Sequence, residues 1–131
     1  MKKTKFLNCA PILIVKSIEK SVEYYMNQCG FEEPLFYGEQ KTFCMIHRDL
    51  CELMLHQVED PGEIKPHWKV VNNLWNIYYW VDDAKLLYDE LRSRGAKIDY
   101  DLGVKEYGCL EFGIQDIDGY DIGFGQNIEH T

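Results

Sequence analysis

The sequence has no Cys-x-x-Cys pair, although it carries five cysteines: Cys9, Cys29, Cys44, Cys51 and Cys109. That spacing supports neither a zinc knuckle nor a disulfide framework. An odd set of reduced thiols fits a reducing compartment, so a cytoplasmic protein is expected. No run approaches the roughly 20 apolar residues of a membrane span. The start, MKKTKFLNCAPILIV, is basic and then apolar, as a signal peptide is. Asn8 and Pro11 interrupt that run, however, and it leads straight into a helix start. The reading is a disordered tip followed by a strand. Positive charge is also scarce: 14 basic residues stand against 22 acidic ones, a formal net charge of −8. Such a chain repels phosphate backbones, which argues against nucleic acid, and attracts cations.

What is present suits one compact domain over residues 1–131, with 46% hydrophobic residues to build a core. Residues 9–15 (CAPILIV) read as a buried strand. Ser17 is a candidate N-cap, and Ile18, Val22, Tyr25 and Cys29 recur at helical spacing over 18–28. Gly30 ends the helix. Strands are expected at 35–38, 42–48 and 51–57, with Arg48-Asp49 at the turn between the last two. A polar connector, 58–73, carries Pro61-Gly62 and Pro66.

The order then repeats. Residues 75–81 (WNIYYWV) form an aromatic strand. Asp82 or Asp83 caps a helix over 84–94, and Gly95 stops it. Strands follow at 97–100, 108–115 and 120–126. Asp116-Ile117-Asp118-Gly119 is a turn between the last two, since glycine tolerates positive φ; it lacks the later ligands of a calcium loop. Val15, Ser17 and Tyr25 match Val81, Asp83 and Leu91, each 66 positions on, while Glu52 and Leu53 match Gly123 and Phe124, 71 positions on. An internal duplication of this kind predicts an α+β fold of two βαβββ modules, 7–57 and 74–126. Their curved mixed sheets would face a shared cleft, with the helices on the convex side.

Within this frame the stretch Cys51-Glu52-Leu53-Met54-Leu55-His56 places a carboxylate in an apolar run. Glu52 has four readings: metal ligand, general base, counter-charge for a cationic ligand, or solvent-facing residue. His56 shares its face but lies four strand steps away, about 13 Å, too far for one ion. His47 lies on a neighbouring strand, His67 in the connector and His130 in the tail. Alternation puts Glu52 and Met54 on the cleft face and Leu53 and Leu55 against the helices. By the same parity Asn76, Tyr78 and Trp80 face the cleft, and Ile77, Tyr79 and Val81 back onto a helix.

Three segments carry a resemblance. They are Ile14 to Tyr25 with Gly30-Phe31; Tyr79-Trp80-Val81-Asp82-Asp83 leading into Leu87-Tyr88; and Tyr107-Gly108 followed by Phe112 and Asp116-Ile117-Asp118-Gly119-Tyr120. In this order and spacing the chain resembles the vicinal oxygen chelate superfamily, which includes glyoxalase I, extradiol dioxygenases and bleomycin resistance proteins. The enzymes of that superfamily hold a divalent metal between the two modules. The resemblance carries the four ligand positions onto Ala10, Glu52, Asn76 and Gly123. Alanine and glycine have no donor, a neutral amide is a poor one, and one carboxylate does not hold a catalytic metal. No metal and no cofactor are therefore expected.

The branch most similar is that of the bleomycin resistance proteins, homodimers that sequester a cationic, flat-tailed drug unaltered. The match places Phe43 and Tyr107 at the positions of stacking aromatics. The implied ligand site is Phe43, Glu52, Met54, Asn76, Tyr78, Trp80 and Tyr107, and no catalytic residue. The implied function is metal-independent sequestration of a cationic aromatic drug, such as one of bleomycin type, or a metabolite, in a cleft at a homodimer interface. The alternative is a glyoxalase-like lyase, isomerase or dioxygenase with an atypical metal site. The roles of Trp68 and Trp75 and the manner of pairing stay open.

Overall fold

The computed structural model describes residues 2–129; His130 lies outside the described residues. The elements are β1 (Ile12–Val15), α1 (Ile18–Asn27), β2 (Leu35–Tyr37), β3 (Phe43–Arg48), β4 (Cys51–Gln57), β5 (Ile77–Trp80), α2 (Ala84–Ser93), β6 (Lys97–Lys105), β7 (Cys109–Gln115) and β8 (Asp121–Asn127). They form two four-stranded mixed sheets, ordered β1-β4-β3-β2 and β5-β8-β7-β6. This is the expected α+β duplication. In each sheet the first and last strands of the module pair in parallel.

The helix starts match as well. Ser17 caps α1 by accepting from the Lys20 amide at 3.2 Å, and Asp83 caps α2 by accepting from the Leu86 amide at 3.0 Å. Side chains of the two β-sheets repeat the same device: Gln57 Oε1 accepts from the Ile18 amide and Gln126 Oε1 from the Ala84 amide, both at 2.9 Å.

Alternation sorts the two faces as expected. Leu13, Val15, Cys44, Ile46, Leu53 and Leu55 are buried against α1, while Ile77, Phe112, Ile114, Ile122 and Phe124 do the same beneath α2. These residues form one continuous core with Val22, Tyr25 and Leu91 from the helices. The modules are also joined by polar contacts. Tyr25 donates to Asp116 Oδ2 at 2.5 Å, Tyr120 to the Ile14 carbonyl at 2.7 Å, and Arg48 to both oxygens of Glu90 at 2.8 and 2.9 Å.

Several expectations need correction. The first strand begins at Ile12, not residue 9, because Pro11 has no N–H for the ladder; its carbonyl accepts from the Met54 amide at 2.9 Å. The strand expected at 75–81 is Ile77–Trp80. Before it, Asn76 Oδ1 accepts from the His67 amide at 2.8 Å and turns the chain back toward the connector. The strand expected at 97–100 runs to Lys105, because two bulges near Tyr100 keep it beside β7. The connector is not featureless: it holds 3₁₀ turns at Pro61–Glu63 and His67–Lys69. Trp68 pins it to the β7–β8 turn by donating to the Gly119 carbonyl at 2.5 Å.

The repeat spacing also changes. Ile18 and Ala84 stand 66 apart, but their partners Gln57 and Gln126 stand 69 apart, not 71. The ladders agree: Ile12 pairs with Met54 and Tyr78 with Gly123. The counterpart of Met54 is therefore Gly123, and the counterpart of Glu52 is Asp121.

Candidate functional site

The face of each sheet away from its helix is the candidate surface. On the first sheet, one row across all four strands is Ile12, Met54, Met45 and Leu35, and the next is Ile14, His56, Phe43 and Tyr37. Bulk therefore stands on the two inner strands. The rings of Phe43 and His56 lie 5.7 Å apart, and those of Phe43 and Tyr37 5.8 Å apart. Glu52 pairs across the ladder with His47. Its side chain accepts from Asn8 Nδ2, and its carbonyl accepts the Tyr79 hydroxyl at 2.7 Å. His47 is turned to Glu32, at 2.5 Å.

The second sheet inverts this plan. The row matching Ile12-Met54-Met45-Leu35 reads Tyr78, Gly123, Gly113 and Tyr100. The inner strands carry glycines and the outer strands carry rings, which lean in over the glycine floor. A Cβ on Gly123 would stand 2.8 Å from Trp75 and 2.9 Å from Tyr78, and one on Gly113 or Gly125 would strike Tyr100 or Tyr78. The rings touch one another edge to face: Trp75 and Tyr78 at 4.8 Å, and Tyr78 and Trp80 at 5.1 Å. Trp75 Nε1 donates to the Tyr100 hydroxyl. Trp80 stays 62% exposed at the edge.

Under these rings lies Glu111, 2% exposed. Its Oε1 accepts the hydroxyls of Tyr78 at 2.9 Å and Tyr107 at 2.5 Å. None of the ion pairs among the described residues engages it. Burial, and then the neighbouring Glu111, push both phenols well above their ordinary pKa. They are donors at neutral pH, not bases. Further along the same face Asp121 is buried beside Gln115, whose Nε2 donates to it at 3.2 Å. Burial raises the Asp121 pKa, and the carboxyl of Asp99 raises it further.

The seven residues singled out from the sequence thus fall into two groups. Phe43, Glu52 and Met54 lie on the open face of the first sheet. Tyr78, Trp80 and Tyr107 belong to the aromatic group of the second. Asn76 is engaged by the connector, and its neighbour Trp75 joins the rings. Sequence reading missed Glu111, Tyr100 and the glycine floor. The available signal was the alternation in Cys109-Leu110-Glu111-Phe112-Gly113, which puts a carboxylate and a glycine on one face. The space over Gly123 is filled by the protein's own Trp75 and Tyr78.

The residues do not fit the divalent metal of the superfamily's enzymes. Ala10 and Gly123 offer no donor, and Asn76 Oδ1 is already occupied. The ring of His67 lies 3.2 Å from the Trp75 carbonyl. Asp121, the true counterpart of Glu52, carries a carboxyl that accepts from Gln115, and no three His, Cys, Asp or Glu side chains gather around an ion position among the described residues. None of the helices among those residues is long and apolar enough to cross a membrane.

Solved structures with this fold include a bleomycin-binding protein from Streptomyces verticillus complexed with copper(II)-bleomycin. It is 23% identical, with a TM-score of 0.68, over 93% of this chain and 97% of that one. TioX from Micromonospora sp. ML1 is 15% identical, with a TM-score of 0.72, over 93% and 99% of the two chains. A glyoxalase-related enzyme from Clostridium phytofermentans is 14% identical, with a TM-score of 0.74, over 98% and 100%. No curated protein is significantly similar in sequence. The family model for the Glyoxalase/Bleomycin resistance protein/Dioxygenase superfamily matches residues 6–124, and the chain belongs to that superfamily.

Proposed function

We propose that the chain is a metal-independent binding protein that sequesters a cationic aromatic drug or metabolite in a cleft closed by a second copy. The observation that carries this reading is Glu111: a buried carboxylate held by two phenols and in none of the ion pairs among the described residues, beneath a set of partly exposed rings, of which Tyr100 already has Lys105 Nζ 5.9 Å from its centroid. A buried carboxylate costs free energy unless it is compensated. Rings polarised by a carboxylate favour a ligand that is both flat and positive, and the acidic chain favours its approach. Glu52 would add a second charge from the first sheet. The ligand-lining set is then Phe43, Glu52, Met54, Asn76, Tyr78, Trp80 and Tyr107, extended by Glu111 and Tyr100.

Homodimerisation is part of the reading. The open face of the first sheet bears apolar residues that one chain leaves in water, with Ile12 60% and Leu35 56% exposed, and Trp80 is left in water on the second. A cytoplasmic, soluble binder agrees with the free cysteines.

The test is a tryptophan-fluorescence titration with metal-free bleomycin and with a panel of planar monocations. Saturable binding is expected, weakened about tenfold or more in Glu111→Gln, a loss of about 1.4 kcal/mol. Failure of every cation to bind saturably would sink the proposal. A companion measurement is metal content after exposure to zinc, nickel and manganese and then desalting. Near zero is expected; one metal per chain would give the enzyme reading first place.

A further inference from the structure

A second hollow lies on the helix side of the sheets and meets the aromatic group only at its edge, where Trp80 lines both. It has a volume of about 420 Å³, within the roughly 300–1,000 Å³ of small-molecule sites. Its floor is buried Phe31, Leu91 and Phe124, and its walls include Tyr79, Val81 and Leu87. Leu50 and Leu86 stand exposed at the mouth. The depth matters, because a flat apolar patch would suit a protein surface whereas a floored hollow suits a compact molecule.

The internal repeat shows that this lining is not imposed by the fold. The corresponding space beside α1 is lined by Lys16, Ser17, Lys20, Glu23 and Asp118 together with Tyr24, Gln28 and Ile117, so charged side chains stand there among the apolar ones. Asp118 there accepts from the Lys16 amide at 3.3 Å and the Ser21 hydroxyl at 3.4 Å, stitching the turn to the helix. On the α2 side the turn residue Leu50 reaches no such partner, and Leu86 and Leu87 face the gap.

The charges at the mouth select the ligand. Asp49, Asp82 and Asp83 border the hollow. Asp83 is committed to capping α2, and Asp49 and Asp82 are in none of the ion pairs among the described residues. The one cation in the lining, Arg48, is tied to both Glu90 oxygens and to the Cys29 carbonyl at 2.9 Å. An anionic ligand would have to break that pair, whereas an ammonium group meets Asp82 and Asp49, the latter sharing its charge only with nearby Arg48.

We propose that this hollow is a second ligand site, which takes an amphiphilic amine with its apolar body over Phe31, Leu91 and Phe124 and its ammonium at Asp49 and Asp82. The test follows backbone amide shifts on the full chain titrated with 4-phenylbutylamine, 4-phenylbutanol and 4-phenylbutyrate. Saturable shifts at Leu50, Leu86 and Leu87 are expected, with the amine at least tenfold tighter than the carboxylate. Leu87→Trp fills the hollow and should abolish them. Leu86→Arg, at an exposed position that does not threaten folding, should weaken the amine at least tenfold by charge alone. Shifts confined to the aromatic face, equal affinity for amine and carboxylate, or no effect of either substitution would overturn the site. A sedimentation change in Leu86→Arg without amine binding would assign the hollow to a second copy of the chain, and would overturn it too.

Discussion

Glu111 is the residue whose chemistry the rest of the open face is arranged around. Tyr78 and Tyr107 place both hydroxyls on one of its oxygens. Tyr78→Phe should leave the carboxylate under-satisfied and lower stability by about 1–3 kcal/mol. The same substitution at exposed Tyr107 should cost less, because water reaches that site. Differential scanning at neutral pH separates the two. Asp116 makes a second prediction, on pH. It accepts from Tyr25 and from the amides of Asp118 and Tyr120, yet burial outweighs these bonds and raises its pKa to about 6. A raised carboxyl pKa means that the folded state holds a proton the unfolded chain has released. The resulting stabilisation is complete below the ordinary carboxyl range and is lost as pH rises through about 6. The melting temperature should therefore fall between pH 4 and 7, with Asp121 adding to the fall. Asp116→Asn should flatten that slope; an unchanged slope would remove Asp116 from the account.

At the scale of elements, the two modules share a frame but not a surface. Helices, caps and the buried parity of β4 and β5 were legible in the sequence because each is set by local periodicity. Ser17 and Asp83 sit where the helical pattern starts, and Leu53 and Leu55 alternate with Glu52 and Met54. The β4-to-β8 correspondence was not legible. It depends on how many residues each hairpin spends: Tyr100 and Gly113 pair 13 positions apart where Leu35 and Met45 pair 10 apart, and the 117–119 turn is one longer than Asp49-Leu50, differences visible only once the ladders are paired. The glycine floor was hidden for a related reason. Gly113 and Gly123 are neighbours across strands, ten positions apart in sequence, and the rings above them come from two further strands. Gly123→Ala tests that floor directly. Its methyl would stand 2.8 Å from Trp75, and overpacking of this kind costs about 1–3 kcal/mol. The variant should melt earlier and show altered tryptophan emission. Emission identical to the parent would mean that the rings do not rest on this glycine. The caps are a gentler probe at the same scale: Ser17→Ala and Asp83→Ala should each cost about 1 kcal/mol, read as a shift in denaturant midpoint with an unchanged slope.

At the scale of the whole molecule, the question is how two half-sites become one. The first sheet offers Phe43, Glu52 and Met54 on one open face, and the second offers Tyr78, Trp80, Glu111 and Tyr107 on another. The first group shares only its sheet face, whereas ring contacts and hydrogen bonds join Tyr78, Trp80, Glu111 and Tyr107 directly. If a homodimer completes the site, each cleft takes the first group from one chain and the second group from its partner, or both from a single chain with the partner as a wall. A mixing experiment separates these arrangements. One variant carries Phe43→Ala, which damages the first group, and another carries Glu111→Gln, which damages the second. Each homodimer alone should bind the cationic probe weakly. In a mixed dimer with sites shared between chains, one cleft is doubly damaged and the other is wholly intact. Unfolding and refolding the two together should then recover wild-type affinity at about one site in four, since half the dimers are mixed and half of their sites are whole. If each cleft is built within one chain, mixing recovers none. Either arrangement covers the apolar row Ile12, Met54, Met45 and Leu35; the shared one is the expected outcome, because the two groups stand on separate sheets. A protein that stays monomeric in sedimentation at micromolar concentration would remove both arrangements at once.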